Sequence, residues 1–291
     1  RSGYGEQARF ALRSLASRPD LYDIYIAPTG WGKTSWIFEN NVERQWIDDL
    51  INKTSKFLAA GKRFDMSLQV TIPNEWERIA PFNIGYTAGI ETTKVAPEWI
   101  EKANIMDKIV VVSNHSKNVF EDTTYMLQNE KKETTTFVCN TPIEVVNYPV
   151  KKYASADLNL DFPYDFNFLC LAQWGPRKNV KNTVKWFVEE FHDDEVGLVV
   201  KMFQVKNCHM DKLNCMIKLK ELLSEYPERK CKIHLIHGNM TDEEVNSLYT
   251  HPKLKAFVSL THGEGYGLPL FEAAYNGMPI IAPAWSGHCD F

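Results

Sequence analysis

Phe166-Asn-Phe-Leu-Cys-Leu-Ala-Gln-Trp-Gly-Pro-Arg-Lys-Asn179 opens the second half of the chain with an apolar run followed by a turn that carries two cations. A short apolar run closed by Gly-Pro reads as a buried strand. Behind it, residues 179–192 place Val180, Val184, Phe187, Val188 and Phe191 on one helical stripe. The pair then repeats. Gly197-Leu-Val-Val-Lys-Met-Phe203 is a second strand, and residues 210–226 follow as a helix with Leu213, Met216, Leu219 and Leu223 inward, stopped by Pro227. Lys232-Ile-His-Leu-Ile-His237 is a third. Its helix opens at Thr241-Asp-Glu-Glu244, where the Thr hydroxyl and the Glu carboxylate satisfy each other's free backbone N–H groups. Ala256-Phe-Val-Ser-Leu260, a helix from Pro269 to Asn276 closed by Gly277, and Pro279-Ile-Ile-Ala282 complete the run. Five strands alternating with four helices predict a parallel sheet covered on both faces.

Working outward, the first half has a weaker rhythm. A helix near residues 5–17, strands at 21–27, 67–72 and 108–113, and a helix over 115–127 can be placed, again as α/β. Residues 139–165 are rich in Asn, Pro, Tyr and Asp without a sustained period, which suits a hinge or crossover. The expected architecture is two Rossmann-like doubly wound domains, residues 1–150 and 151–291, facing a cleft. Ligands of such sheets sit at the carboxyl ends of the strands, so residues just after strands carry the functional reading.

Composition bounds the function. The chain has 291 residues, 44% apolar and 24% charged, a globular mixture that excludes a disordered, collagenous or coiled-coil protein. With 33 basic against 37 acidic side chains the formal charge is -4, and both halves carry a slight acidic excess. Nucleic acid or an anionic membrane is therefore not the expected partner. No apolar run approaches the ~20 residues of a membrane span and no leader is evident, so a cytoplasmic protein is expected. The six cysteines lie far apart without a Cys-x-x-Cys pair, which predicts free thiols. The chain begins at Arg1, ahead of a Gly-rich turn, and stops inside Trp285-Ser-Gly-His-Cys-Asp-Phe291, so a piece truncated at both ends is expected.

The strongest motif is Thr261-His-Gly-Glu-Gly-Tyr-Gly-Leu-Pro-Leu-Phe-Glu-Ala-Ala274, which follows a strand and opens a helix. Gly263, Gly265 and Gly267 admit close backbone approach, and Pro269 suits the helix start, so N–H groups around Gly267–Phe271 are expected to face an anion. Glu264 lies in the loop and Glu272 in the expected first helical turn. Carboxylates beside a diphosphate repel it unless they address hydroxyl groups, for which they are strong acceptors. A ligand with phosphates and many hydroxyls fits both demands: a nucleotide sugar. Arg177 and Lys178 after the first strand, with Lys201 near the end of the second, supply cations at the same sheet edge. Read singly, each has a bland alternative as a helix-dipole acid, a solvated corner or a snorkelling lysine.

Gly263-Glu-Gly-Tyr-Gly-Leu-Pro-Leu-Phe-Glu272, with Gly277-Met-Pro-Ile-Ile281 and Trp285-Ser-Gly287, resembles the Glu-x7-Glu signature of retaining GT-B glycosyltransferases of the family 4 type. The Pro-Arg-Lys-Asn179 corner is similar to that family's donor-phosphate site, and Ser2-Gly3-Tyr-Gly5 to its amino-terminal Gly loop. The resemblance implies an acceptor-side first domain and a nucleotide-sugar-binding second domain lacking its closing elements. It implies that Glu264 contacts the transferred sugar, Glu272 the ribose, and Arg177 and Lys178 the diphosphate. Lys201, Gly265, Tyr266, Gly267 and Leu268 would complete the donor site, with Gly3 and Gly5 closing onto donor and acceptor. The departing phosphate oxygen would deprotonate the acceptor hydroxyl on the same face of the sugar, with no cofactor and no metal. Cys208-His209 and Cys215 show no zinc spacing, and no Asp-x-Asp is present for Mg²⁺. The chain departs from the family pattern in two places. Leu171-Ala-Gln-Trp-Gly175 lacks an extra Arg, and the Thr87–Thr93 stretch with Glu91 stands where the family has a catalytic-cleft His.

A rival reading rests on Ala27-Pro-Thr-Gly-Trp-Gly-Lys-Thr34, a relaxed Walker A pattern after Tyr22-Asp-Ile-Tyr-Ile26, with Lys33 on terminal phosphates and Thr34 on Mg²⁺. Bulky Trp31 fits poorly inside a phosphate loop, and no later strand ends in the Asp that completes such a site. A third reading is a non-catalytic nucleotide-sugar-binding relative, which fold alone does not exclude.

Overall fold

The computed structural model describes residues 3–30, 40–128 and 132–291. The chain divides into two compact units between Pro149 and Val150, with Asp290 grouped with the first and Phe291 with the second.

The first unit contains α1 (Gly3–Ala16), α2 (Val42–Ala59), β1 (Met66–Val70), β2 (Phe82–Tyr86), α3 (Pro97–Ala103), β3 (Lys108–Val111), α4 (Asn114–Asp122), β4 (Tyr125–Gln128), β5 (Thr134–Phe137) and β6 (Ile143–Val145). Its sheet has the order β1-β2-β3-β6, parallel throughout, while β4 and β5 pair antiparallel. Trp76, Ile100, Ile109 and Phe120 are fully buried at its core. A side chain at Gly85 would start 2.6 Å from the Trp76 ring, so glycine there lets the indole lie against β2.

Several expectations fail in this unit. Residues 22–30 form no strand. The Tyr25 ring packs on Phe57 at 4.4 Å, and the Ile26 N–H donates to Thr54 Oγ1 at 2.8 Å, so this apolar stretch docks on α2 instead of joining a ladder. The helix expected over 115–127 stops at Asp122. Thr123 Oγ1 donates to the Val119 carbonyl at 2.6 Å and accepts the Val95 N–H at 3.2 Å. The chain then turns extended into β4, as β-branched and aromatic residues favour. Sequence reading passed over α2, although Trp46, Ile47, Leu50, Ile51, Phe57 and Leu58 fall at helical spacing behind an Asn41 cap; α3, β2, β6 and the β4–β5 pair are three to seven residues each, too short for a period to stand out. The Walker-like residues Trp31 to Thr34 lie outside the described residues, as does Ser2.

The second unit contains β7 (Asn167–Gln173), α5 (Val180–Glu190), β8 (Gly197–Phe203), α6 (His209–Leu223), β9 (Lys232–Ile236), α7 (Asp242–Tyr249), β10 (Leu254–Val258), α8 (Leu268–Tyr275) and β11 (Ile280–Ile281). The sheet order is β11-β10-β7-β8-β9, all parallel. Side chains alternate across it as the two-residue strand period requires. Phe168, Cys170, Leu198 and Val200 pack with Val184 and Val188 on one face, and Leu169 and Val199 with Leu248 and Leu270 on the other. Both faces are covered, which is why these strands read as continuous apolar runs. The capping box at Thr241 and Glu244 forms, with N–H to side-chain distances of 2.7 and 3.2 Å.

One helix face differs from expectation. In α6 the inward residues are Asp211, Cys215, Leu219 and Leu222, while Leu213 and Met216 are 38% and 48% exposed. A buried carboxylate rotates the helix: Asp211 accepts the Gln204 and Val205 N–H groups at 2.9 and 3.1 Å and meets His237. An apolar count scores such an Asp as outward.

Candidate active site

The chain leaves β7, builds β8 and β9 to one side, then crosses back to place β10 on the other side of β7. The point where the strand order reverses lies between the carboxyl ends of β7 and β10, the position where open parallel sheets leave a crevice. The two loops that meet there are 174–179 and 259–267. They are laced together: the His262 N–H donates to the Arg177 carbonyl at 2.9 Å, and Asn179 Nδ2 to the Leu260 carbonyl at 3.0 Å. Thr261 Oγ1 lies 3.1 Å from both the Arg177 and the Gly263 carbonyls. Asn179 caps α5 in the left-handed region, φ 53°, a conformation an Asn tolerates better than most residues.

Within this lattice Arg177, Lys178 and Glu264 converge. Lys178 Nζ lies 2.5 Å from Glu264 Oε1, and Arg177 Nη1 lies 3.2 Å from Oε2 and donates to the Gly263 carbonyl at 2.9 Å. The Glu264 side chain is 7% exposed, Lys178 19% and Arg177 42%. Two cations and one carboxylate leave a formal charge of +1 at the switch point. The structure thus places Glu264 against the cations expected to serve a diphosphate, a pairing that their separation of 86 residues hides from sequence.

The loop is fixed from a third side. Ser286 Oγ accepts the Glu264 N–H at 2.9 Å, and the Gly287 N–H donates to the Glu264 carbonyl at 2.9 Å. A Cβ on Gly287 would sit 1.9 Å from the Gly265 carbonyl oxygen, so only glycine permits this approach. His288 backs the contact, with Nδ1 3.3 Å from Ser286 Oγ and Nε2 2.6 Å from the Pro283 carbonyl. Sequence reading passed over Thr261, Asn179 and His288 as positioning residues. Their signal was their place beside the motif loops, not any pattern of their own.

Gly267, at φ 89°, caps α8. The Phe271 N–H bonds the Gly267 carbonyl at 3.0 Å, so it is not among the donors left to an anion. Pro269 has none, which leaves Leu268 and Leu270 in the first turn. Tyr266 is buried against Phe271 and Phe291, ring centroids 5.3 Å away in each case. Glu272 is the fifth residue of α8, beyond the first turn where it was expected. Its Oε2 accepts the Tyr249 hydroxyl at 2.9 Å, and burial, with the Glu272 charge added, pushes that phenol well above the usual tyrosine range.

Lys201 is near the carboxyl end of β8. Its Nζ donates to the Gly238 carbonyl at 2.6 Å, and burial holds its amine below the usual lysine range. In the first unit the expected Gly turn is, at Gly3 and Gly5, the first turn of α1. Between them Tyr4 reaches Thr87 Oγ1 at 2.7 Å, and burial raises its phenol to about 12.

No protein-family model matches this sequence, and no curated protein sequence matches it. Solved structures do. The apo structure of OtsA aligns with 96% of this chain and 68% of its own, at TM-score 0.54 and 8% identity. HepE from Anabaena, in complex with UDP and glucose, aligns with 83% of this chain and 64% of its own at TM-score 0.52 and 12% identity. The fold is GT-B. An α,α-trehalose-phosphate synthase (UDP-forming) from Burkholderia xenovorans, in complex with glucose-6-phosphate, shares it at TM-score 0.51 and 10% identity, over 81% of this chain and 63% of its own. The chain thus spans about two thirds of the length of these GT-B structures. No helix among the described residues is long and apolar enough to cross a membrane.

Proposed function

We propose that this protein transfers a sugar from a nucleotide-diphosphate donor to an acceptor hydroxyl with retention of configuration, without metal or cofactor in the transfer step. The observation that carries the reading is the Arg177–Lys178–Glu264 cluster at the topological switch point, with its formal charge of +1. Charge develops on the departing diphosphate, and preorganised cations and helix-start N–H groups stabilise it without reorganising. Arg177, Lys178 and the Leu268 and Leu270 N–H groups are the donors in place for that task. An ammonium carries three donors, of which Glu264 takes one from Lys178, so one side chain serves both carboxylate and phosphate. Glu264, pinned by both cations, accepts from sugar hydroxyls, and Glu272 with Tyr249 behind it faces the ribose. The UDP and glucose held by HepE, a protein of the same fold, support this donor class.

The P-loop reading is less well supported, because residues 22–30 form no strand ahead of the motif, whose Lys33 and Thr34 lie outside the described residues. The test is a melting-temperature titration with UDP- and GDP-sugars against ATP·Mg²⁺, followed by an acceptor screen. Nucleotide sugars raise the Tm, since a ligand of the native state stabilises it. Lys33→Ala leaves that response intact and Glu272→Ala weakens it. Glu264→Gln lowers the transfer rate at least ~100-fold, about 3 kcal/mol of lost transition-state stabilisation. A response to ATP·Mg²⁺ alone, abolished by Lys33→Ala, overturns the proposal.

A further inference from the structure

The rotation of α6 that turns Leu213 outward brings three metal-binding atoms together. Asp211 and Cys215 lie one helical turn apart on the buried face, and His237 follows β9 directly. His237 Nε2 lies 3.0 Å from Asp211 Oδ2, with the two side chains 3% and 6% exposed, and Cys215 is fully buried. The carboxylate oxygen, ring nitrogen and thiol sulfur all fall within 4.8 Å of one another. A tetrahedral zinc ion with bonds of ~2.0–2.3 Å separates its ligand atoms by roughly 3.3–3.8 Å. The trio is therefore within about an ångström of that shape.

The chemistry of the set is selective. Oxygen, imidazole and thiolate together suit a borderline cation such as zinc, whereas calcium and magnesium require oxygen shells. The carboxylate is already oriented by the Gln204 and Val205 N–H groups at 2.9 and 3.1 Å, the kind of outer support that fixes a metal ligand. A carboxylate, a thiolate, a neutral imidazole and a divalent ion sum to zero charge, which suits a buried site.

We infer that Asp211, Cys215 and His237 form a zinc-class metal site that ties α6 to the carboxyl ends of β8 and β9. On binding, the Cys215 thiol releases its proton to solvent and its sulfur bonds the metal. His237 shifts its ring proton to Nδ1 and presents the Nε2 lone pair. The Asp211–His237 hydrogen bond is exchanged for two metal bonds, and a water completes the tetrahedron. One proton is released per ion. Sequence spacing hid the site because two ligands lie on α6 and the third follows β9, 22 residues beyond Cys215.

The test uses the full chain with the exposed thiols removed by Cys208→Ser and Cys289→Ser, stripped by chelator and titrated with Co²⁺ and then Zn²⁺. One equivalent of Co²⁺ gives thiolate-to-cobalt charge transfer and tetrahedral d–d bands, Zn²⁺ displaces it, and the Tm rises with Zn²⁺ concentration. Cys215→Ser removes the charge-transfer band, and His237→Gln weakens Zn²⁺ binding at least tenfold. If either variant fails to fold, alkylation of the unsubstituted Cys215 in sub-denaturing urea, where the buried thiol opens transiently, reads the same site by peptide mass: zinc slows it. No charge-transfer band in excess Co²⁺, a band that survives Cys215→Ser, or equal alkylation of Cys215 with and without zinc overturns the inference.

Discussion

Glu264 and Glu272 leave one short motif for unlike surroundings. Glu264, in the loop after β10, is 7% exposed and lies between Lys178 at 2.5 Å and Arg177 at 3.2 Å. Glu272, on α8, is only half-buried and takes the hydrogen bond of a neutral phenol at 2.9 Å. The first carboxylate is held by charge and the second by a hydrogen bond from a group that stays protonated. A buried carboxylate is tolerable only while its cations remain, because an unpaired charge in the interior costs more than the pair contributes. A half-buried one loses little when a neutral partner goes. Equal residues in one motif therefore differ in what depends on them: the loop's conformation depends on Glu264's partners, whereas α8 stands without Tyr249's hydroxyl.

The largest expected effect comes from Lys178→Ala, which leaves Glu264 buried with its half-exposed Arg177 alone. Unfolding in urea should show a loss of about 3–5 kcal/mol, partly restored by adding Glu264→Gln. A loss below about 1 kcal/mol would break the contrast, since Glu264 would then behave as a solvated acid. Gly287→Ala comes next. Its methyl would meet the Gly265 carbonyl oxygen at 1.9 Å and the Glu264 carbonyl oxygen at 2.8 Å, so the loop must shift, at a cost of about 1–3 kcal/mol. The nucleotide-sugar response should weaken with it. The smallest effect is Tyr249→Phe, about 1–2 kcal/mol at neutral pH. Its sharper signature is alkaline. The Tyr249 phenol is raised first by burial and then by Glu272, so its contribution is whole below about pH 10 and is lost as pH rises further. Stability of Tyr249→Phe should therefore fall less steeply above pH 10 than that of the unsubstituted protein, with the raised Tyr4 phenol still contributing a slope in both.

The second unit was legible because its strands are buried on both faces and its helices carry apolar stripes; the run at Phe168–Leu171 and the Thr241 capping box are local signals that structure keeps. The first unit was less so. Residues 22–26 have the composition of a strand, but Tyr25 and Ile26 are taken up by α2, a tertiary contact that competes with pairing. The inward face of α6 was misread for a similar reason, since the Asp211 hydrogen bonds outweigh the apolar pattern that Leu213 and Met216 suggest.

Local sterics and periodicity are written in the chain itself. From them come the alternating strands and helices of the second half, the glycine that caps α8 at φ 89° and the cations and acids that follow strands. Which of those groups meet was decided only by folding. Glu264 finds Lys178 across 86 residues, and Asp211 finds His237 across 26, because the order β11-β10-β7-β8-β9 sets remote loops side by side at one sheet edge. Pairings of that kind depend on strand order, and strand order is set by burying both faces of the sheet at once, a condition no local stretch can express.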